Sequence, residues 1–299
     1  MKAYLKNIFK LSVCCGLAVL LCGTTVVGSK YDPTIDSPLE QNIDDFVKQF
    51  RRKGPLASTD RTSFVVYDLS RGIKLVSINE DTPRMAASLI KNFVMLVYFH
   101  EVKQGRLAHT KRNRYHLEQM IKVSSNSSTN YFINLVGGPY KANRILKANY
   151  PYFQQTKIVE RIPSNGRTYK NKTSAHDLNK FYVQLWRDNL PHSHKMKVYL
   201  GLPNGDYIYK KTRIPASVKV YNKTGTVYGL IGDSGIIVMR DPQGKLRPYV
   251  FTGLIEDRSK AYGRRRISFG TWVSQRANVL RRVSEKAYGY IYKSYGGRW

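Results

Sequence analysis

The sequence predicts an α+β domain in which both ends of the chain build one antiparallel sheet and a helical lobe is inserted between them. Three observations carry that reading. Strand-like runs lie early, SFVVYDL and IKLVSIN, and return late, as SVKVYNKTG, GLIGDSGIIVMR and LRPYVFTGLIED. The stretch between them is mostly helical in period, and an amphipathic helix stands at each end of the strand-bearing region. The 299 residues, 42% hydrophobic and 23% charged, suit a folded chain with a sizeable core.

In chain order, MKAYLKNIFK carries three lysines and no acid, and LSVCCGLAVLLCG is a short apolar run. Residues 1–29 therefore read as a secretory signal or N-terminal anchor, with Gly28 and Val26 at a small-residue cleavage site. Cys22 offers lipid anchoring as the alternative. Each version exports the rest. Cys14, Cys15 and Cys22 all lie in this segment, so the remaining chain has no disulfide, no thiol nucleophile and no cysteine metal site. Residues 30–37 read as a linker and residues 38–299 as one domain.

PLEQNIDDFVKQFRRKG starts the domain as a helix, with Leu39, Ile43, Phe46 and Phe50 in register and Gly54-Pro55 as its stop. A hairpin turns at Ser70-Arg71-Gly72. A buried helix opens at Ser88 and closes near Gly105. Helices follow at 115–125, at 128–137 and at 139–150. Residues 151–172 are irregular, and SAHDLNKFYVQLWRDNL is a helix capped by Ser174 or Thr173. His192-Ser193-His194 reads as a surface loop rather than a metal site, because no acidic partner stands at ligand spacing. A last helix, 267–288, precedes a Tyr-rich basic tail.

The net charge of +30 seeks polyanions: anionic envelope polymers, acidic lipids or nucleic acid. GRRRISF and the tail YGYIYKSYGGRW combine aromatic and basic residues in a way that suits base stacking or a membrane interface. Charge alone does not choose among these, and any nucleic-acid binding it produced would carry no sequence preference.

Ser88 and Lys91 stand three residues apart at the start of the buried helix, on one face. A serine hydroxyl needs a base to become a nucleophile. Desolvation and the positive end of the helix dipole both favour a neutral lysine, which is such a base. The backbone N–H of Ser88 is placed to receive an oxyanion. Alone, Ser-x-x-Lys equally describes a helix cap beside a surface lysine. Two further motifs follow in order: Ser124-Ser125-Asn126, and Lys223-Thr224-Gly225-Thr226 on a strand.

With these three motifs the chain, over roughly residues 38 to 288, resembles the penicillin-recognising serine hydrolases. These are the class A β-lactamases and the penicillin-binding D-alanyl-D-alanine peptidases. KTSAHDL resembles that family's helix start after the Ω-loop. The resemblance implies the β-lactamase/transpeptidase-like fold, with Ser88 acylated and Lys91 as its base. It makes Ser124 a proton shuttle to the leaving nitrogen and Asn126 the group that orients substrate amide and lysine. Lys223 and Thr224 would hold the substrate carboxylate. Gly225 would let the strand approach substrate, and the N–H groups of Ser88 and Thr226 would form the oxyanion hole. No metal or cofactor is implied.

The chain also departs from that pattern. Ser125 replaces the usual aspartate. The span from Ser88 to Ser124 is short, which implies an open cleft. Glu160 is the one carboxylate between Glu118 and Asp177 and so the candidate deacylation base, but it lacks the family's Leu-Asn continuation. The expected activity is hydrolysis of a β-lactam amide through an acyl-enzyme on Ser88. The alternatives are a D-alanyl-D-alanine carboxypeptidase or penicillin-binding protein that deacylates slowly, and a non-catalytic basic envelope-binding protein.

Overall fold

Helix α1 (Pro38–Lys53) starts where Ser37 accepts the N–H of Leu39, and its buried stripe is Leu39, Ile43 and Val47. The computed structural model describes residues 37–163, 165–166, 168–257 and 267–299. The leader, its Cys22 alternative and the linker before Ser37 lie outside these residues, as does the arginine run of GRRRISF.

Strands β1 (Asp60–Asp68), β2 (Ile73–Ile78), β5 (Lys219–Val227), β6 (Leu230–Arg240) and β7 (Leu246–Asp257) form one sheet in the order β2-β1-β7-β6-β5. All its neighbours are antiparallel. The first strand of the chain thus pairs with the last, with Asp60 opposite Asp257 and Asp68 opposite Tyr249. A separate two-stranded pairing joins β3 (Arg84–Met85) to β4 (Lys172–Thr173), just ahead of Ser88.

Helices α1 and α8 (Phe269–Ser294) cover one face of the large sheet. Phe64, Val66, Ile237, Phe251 and Ile255 pack there with Val279, Leu280, Val283 and Ala287. Helix α6 (Ala175–Trp186), capped by Ser174, covers the other face. Because both faces are covered, β1, β6 and β7 are buried nearly throughout rather than at alternate positions. Helix α2 (Ile90–Lys103) is buried from Ile90 to Glu101 and forms the axis of the helical lobe. Around it stand α3 (Lys111–Lys122), α4 (Asn126–Leu135), α5 (Pro139–Asn149) and α7 (Ser193–Leu200).

Three local readings need correction. The helix expected at 115–125 is α3, which begins four residues earlier under a Thr110 cap and stops before Ser124. Ser193–Leu200 is a helix rather than a loop, and the His192 ring packs 5.4 Å from that of Phe99. Helix α8 absorbs most of the supposed tail, because Ala287 and Ile291 continue the stripe of Leu280 and Val283. Tyr295, just past the helix, is packed too. The Tyr295 hydroxyl donates to Asp68 at 2.7 Å, and its ring lies between Arg71 and Arg247. The Tyr295 ring is thereby committed to the fold.

The end of α8 nearest β1 is tied by a buried ion pair, Arg276 Nη2 to Asp60 Oδ2 at 2.7 Å. Removing one partner strands the other charge in the core. Arg276→Ala is expected to lower the unfolding free energy in urea by about 3–5 kcal/mol. The double change Arg276→Met with Asp60→Leu should recover most of that loss.

Candidate active site

Ser88 lies on a short 3-10 turn, Ala87–Leu89, that leads directly into α2. The residue before it, Ala87, has φ 44°, a left-handed conformation unusual for a residue with a side chain. Strand β5 packs against this turn. Gly225 makes the approach possible: a Cβ there would stand 2.8 Å from Leu89 Cγ and 3.1 Å from Leu89 N. The sequence reading assigned Gly225 to the approach of substrate. Its direct neighbour is the turn that carries the nucleophile.

Lys91, one turn on, is fully buried. Its Nζ lies 2.7 Å from Ser88 Oγ, 2.9 Å from Ser124 O, 3.1 Å from Ser124 Oγ and 3.0 Å from Asn126 Oδ1. Desolvation, reinforced by the charge of Lys223, holds its pKa well below the ordinary lysine value. The Ser124 carbonyl and the Asn126 amide oxygen are pure acceptors for two of its N–H bonds, and the Ser88 hydroxyl stands at a third position. Ser124 Oγ lies 2.9 Å from Ser88 Oγ, closing a triangle of nucleophile, amine and second hydroxyl.

Ser124 reaches Lys91 with both its carbonyl and its hydroxyl because its backbone is left-handed, at φ 56°. Strain of this kind is held by surrounding structure and concentrates at functional sites. Ser125, in place of the expected aspartate, caps α4 by accepting the N–H of Ser128 at 3.1 Å. Asn126 is the first residue of α4.

Lys223 on β5 is buried, and its Nζ donates to the Thr224 carbonyl at 3.0 Å. Desolvation lowers its pKa to about 8, against the opposing pull of Asp233. Thr226 and Ser88 line the same cleft, of about 330 Å³, with Ser124 and Asn126. Thr224 does not line it; its Oγ1 stands where a Cβ on Gly205 would come within 2.9 Å. The cleft's lip is aromatic. Tyr228 stacks on Phe269 at 5.3 Å and Phe269 on Trp272 at 6.1 Å, and the first two rings line the cleft.

The loop between α5 and β4 closes the remaining side with Asn165, Gly166 and Thr168. Glu160, the expected deacylation base, is not among the lining residues. Its Oε1 accepts from Thr168 Oγ1 at 2.6 Å, Tyr169 N at 2.8 Å and Lys170 N at 2.9 Å. Burial pushes this carboxyl up, but those hydrogen bonds outweigh it and leave the pKa below the usual value. Asn130 holds the loop by a reciprocal pair, donating to Ile162 O and accepting from Ile162 N, both at 2.8 Å. Asn134 accepts from Arg161 Nε at 2.6 Å. Asn126, Asn130 and Asn134 recur every four residues, so one face of α4 serves both the lysine and the loop. That spacing was visible in the sequence and went unread.

Elsewhere, Glu80, Asp81 and His176 bring three possible ligand atoms within 4.8 Å of one another. Lys74 already pairs with Glu80 at 2.7 Å, so the group reads as an ion-pair cluster at the start of α6.

A family model for the beta-lactamase enzyme family matches residues 38–116 and 112–291. Among solved structures the chain is similar to a mutant of PBP-A captured as an acyl-enzyme with penicillin G. That similarity has TM-score 0.68 at 19% identity, covering 88% of this chain and 99% of that one. It is similar to a beta-lactamase from Chitinophaga pinensis, with TM-score 0.67 at 13% identity, covering 86% and 98%. A class A beta-lactamase from Bacteroides cellulosilyticus gives TM-score 0.66 at 14% identity, covering 88% and 100%. At these identities the likeness is one of fold. No curated protein sequence matches.

The contact of β5 with the Ser88 turn yields a direct test. Gly225→Ala must push the strand or the nucleophile aside by a few tenths of an ångström or more. Displacements approaching 1 Å cost about 100-fold in rate. Acylation of Ser88 should fall by about that factor while the unfolding midpoint moves little. Leu89→Ala added to Gly225→Ala should restore part of the rate, because it removes the closer of the two contacts.

Proposed function

The chain belongs to the beta-lactamase enzyme family, and on that premise we propose that this serine hydrolase is acylated on Ser88 by β-lactams or the related cell-wall peptide amides, and hydrolyses the β-lactam amide. The observation that carries the reading is the four-oxygen setting of Lys91 Nζ. The neutral amine takes the Ser88 proton as Oγ attacks the carbonyl carbon. The N–H groups of Ser88 and Thr226 receive the oxyanion. Ser124 Oγ, within reach of both Ser88 Oγ and Lys91 Nζ, passes the proton to the leaving nitrogen. Lys223, with Thr224 beside it on the strand, attracts the substrate carboxylate. The aromatic lip suits a ring-bearing acyl substituent.

One observation favours the slow-deacylating alternative, a penicillin-binding protein. Glu160 is held inside its own loop by three donors and is the weaker base for it. The basic N-terminal leader supports export, which the family's envelope chemistry requires. Among the described residues no helix is long and apolar enough to cross a membrane.

Intact-protein mass spectrometry with benzylpenicillin, followed over time, tests this reading. The expected adduct forms on the wild type and is absent from Ser88→Ala. A transient adduct with accumulating hydrolysed drug marks a β-lactamase, and Glu160→Gln should then prolong the adduct. A long-lived adduct that Glu160→Gln leaves unchanged marks the penicillin-binding protein. No adduct at all removes β-lactam recognition.

The two lysines set the pH dependence. Lys91 must be neutral, so acylation rises as pH passes its lowered pKa. Lys223 must be charged, so recognition of a carboxylate falls as pH rises through about 8. Benzylpenicillin acylation should therefore be bell-shaped, with its alkaline limb near pH 8. The methyl ester of the same drug should keep the acid limb and lose the alkaline one. An alkaline limb retained by the ester would remove Lys223 from that role.

A further inference from the structure

On the outer side of the α1–α8 pair lies a groove of about 1030 Å³, and none of the residues around Ser88 lines it. Its walls carry Lys211, Arg213, Arg281, Arg282, Lys286 and Lys293 against one carboxylate, Glu285. None of these six cations makes an ion pair among the described residues. Arg281 is bound to the carbonyl oxygens of Lys210 and Asp206 and to Asn278. Glu285 accepts the backbone N–H of Arg213 at 2.7 Å.

Three of the remaining cations are held by aromatic faces instead of acids. Lys286 lies 4.5 Å over Phe46, Arg282 5.8 Å over Phe50 and Arg213 5.7 Å over Trp299. An aromatic partner fixes a cation without cancelling its charge, so the groove keeps its full positive field. Trp299 is itself fixed, because it packs on Gly289 where a Cβ would come within 2.2 Å of its ring. Arg282, Lys286 and Lys293 stand four and seven residues apart on α8, a row of about 16 Å at the helical rise.

We propose that this groove binds one extended chain of a phosphate-bearing polymer. The guanidinium forks of Arg213 and Arg282 match phosphate oxygens in pairs, and the lysines add point charges along the same line. The concave shape admits a single chain, whereas a planar bilayer meets only its rim. The inference is independent of the chemistry at Ser88.

The test measures binding of fluorescently labelled linear polyphosphate to the full chain by anisotropy. The groove variant is Arg282→Gln, Lys286→Gln and Lys293→Gln together. The control carries the same charge loss in the helical lobe: Lys111→Gln, Arg114→Gln and Lys195→Gln. The groove variant is expected to lose about tenfold or more in affinity, and its salt slope should flatten by about 2–3. The control should lose less than about threefold. Equal losses in the two variants would reduce the binding to bulk charge and overturn the proposal. Lys293→Gln alone, with urea midpoint matched to wild type, should flatten the slope by about 1, so a folding defect in the triple variant does not decide the matter. If the groove variant keeps its polyphosphate affinity but loses binding to phosphatidylglycerol vesicles, the groove faces a membrane and the proposal fails.

Discussion

The amine of Lys91 lies out of contact with solvent at the head of α2, a place where an ammonium ion carries a large desolvation cost and a neutral amine does not. Much else in the site follows from accommodating that group. Its four oxygen neighbours come from two separate stretches of chain: the turn at Ser88 and the segment Ser124–Asn126 that opens α4. Bringing them together requires left-handed backbone at Ala87 and Ser124, neither of them glycine. Such strain persists only where packing over-determines it, and the nearly all-buried α2 supplies that packing. The arrangement that buries the amine is the same one that brings it against the Ser88 hydroxyl.

Helix α4 extends this arrangement to the loop. Its first asparagine binds the amine, its second clasps the backbone of Ile162, and its third accepts from Arg161. Asn171 secures the loop from the other side, accepting from Val159 N and Glu160 N. Glu160 then serves as an internal staple, gathering Thr168 and two backbone N–H groups onto one oxygen. A carboxylate so used keeps the loop in shape. The residues by which this loop lines the cleft are Asn165, Gly166 and Thr168, which contribute amide, glycine and hydroxyl groups.

The sheet and two of its three covering helices were legible in the sequence because they obey local rules: alternation or apolar runs for strands, a periodic stripe and caps for α1 and α6. The three motifs were legible because their order and residue types are specific. What escaped reading depended on tertiary context. The α8 continuation was masked by tyrosines and glycines that look like a tail in composition; only packing against Asp68, Arg71, Arg247 and Gly289 makes them structural. Helix α7 hides behind His192, whose left-handed backbone no pattern announces. The tethering of Glu160 depends on where residues 168 to 170 return, which spacing does not encode. The aromatic lip joins Tyr228 to Phe269, forty-one positions apart in sequence, and is a product of the fold.

The strong positive charge bears on the chemistry as well as on partners. Lys223 and Lys91 are buried close enough for the charge of one to depress the basicity of the other. In the free enzyme this repulsion helps keep Lys91 neutral. A substrate carboxylate that settles against Lys223 cancels part of the repulsion. On the proposed mechanism the amine of Lys91, held against Ser88, would then become a stronger base as the substrate arrives. In that mechanism the carboxylate would do more than anchor the substrate: it would raise the proton affinity of the group proposed to take the Ser88 proton. A β-lactam without a carboxylate would lose both effects, so its acylation rate should fall by more than its binding alone accounts for.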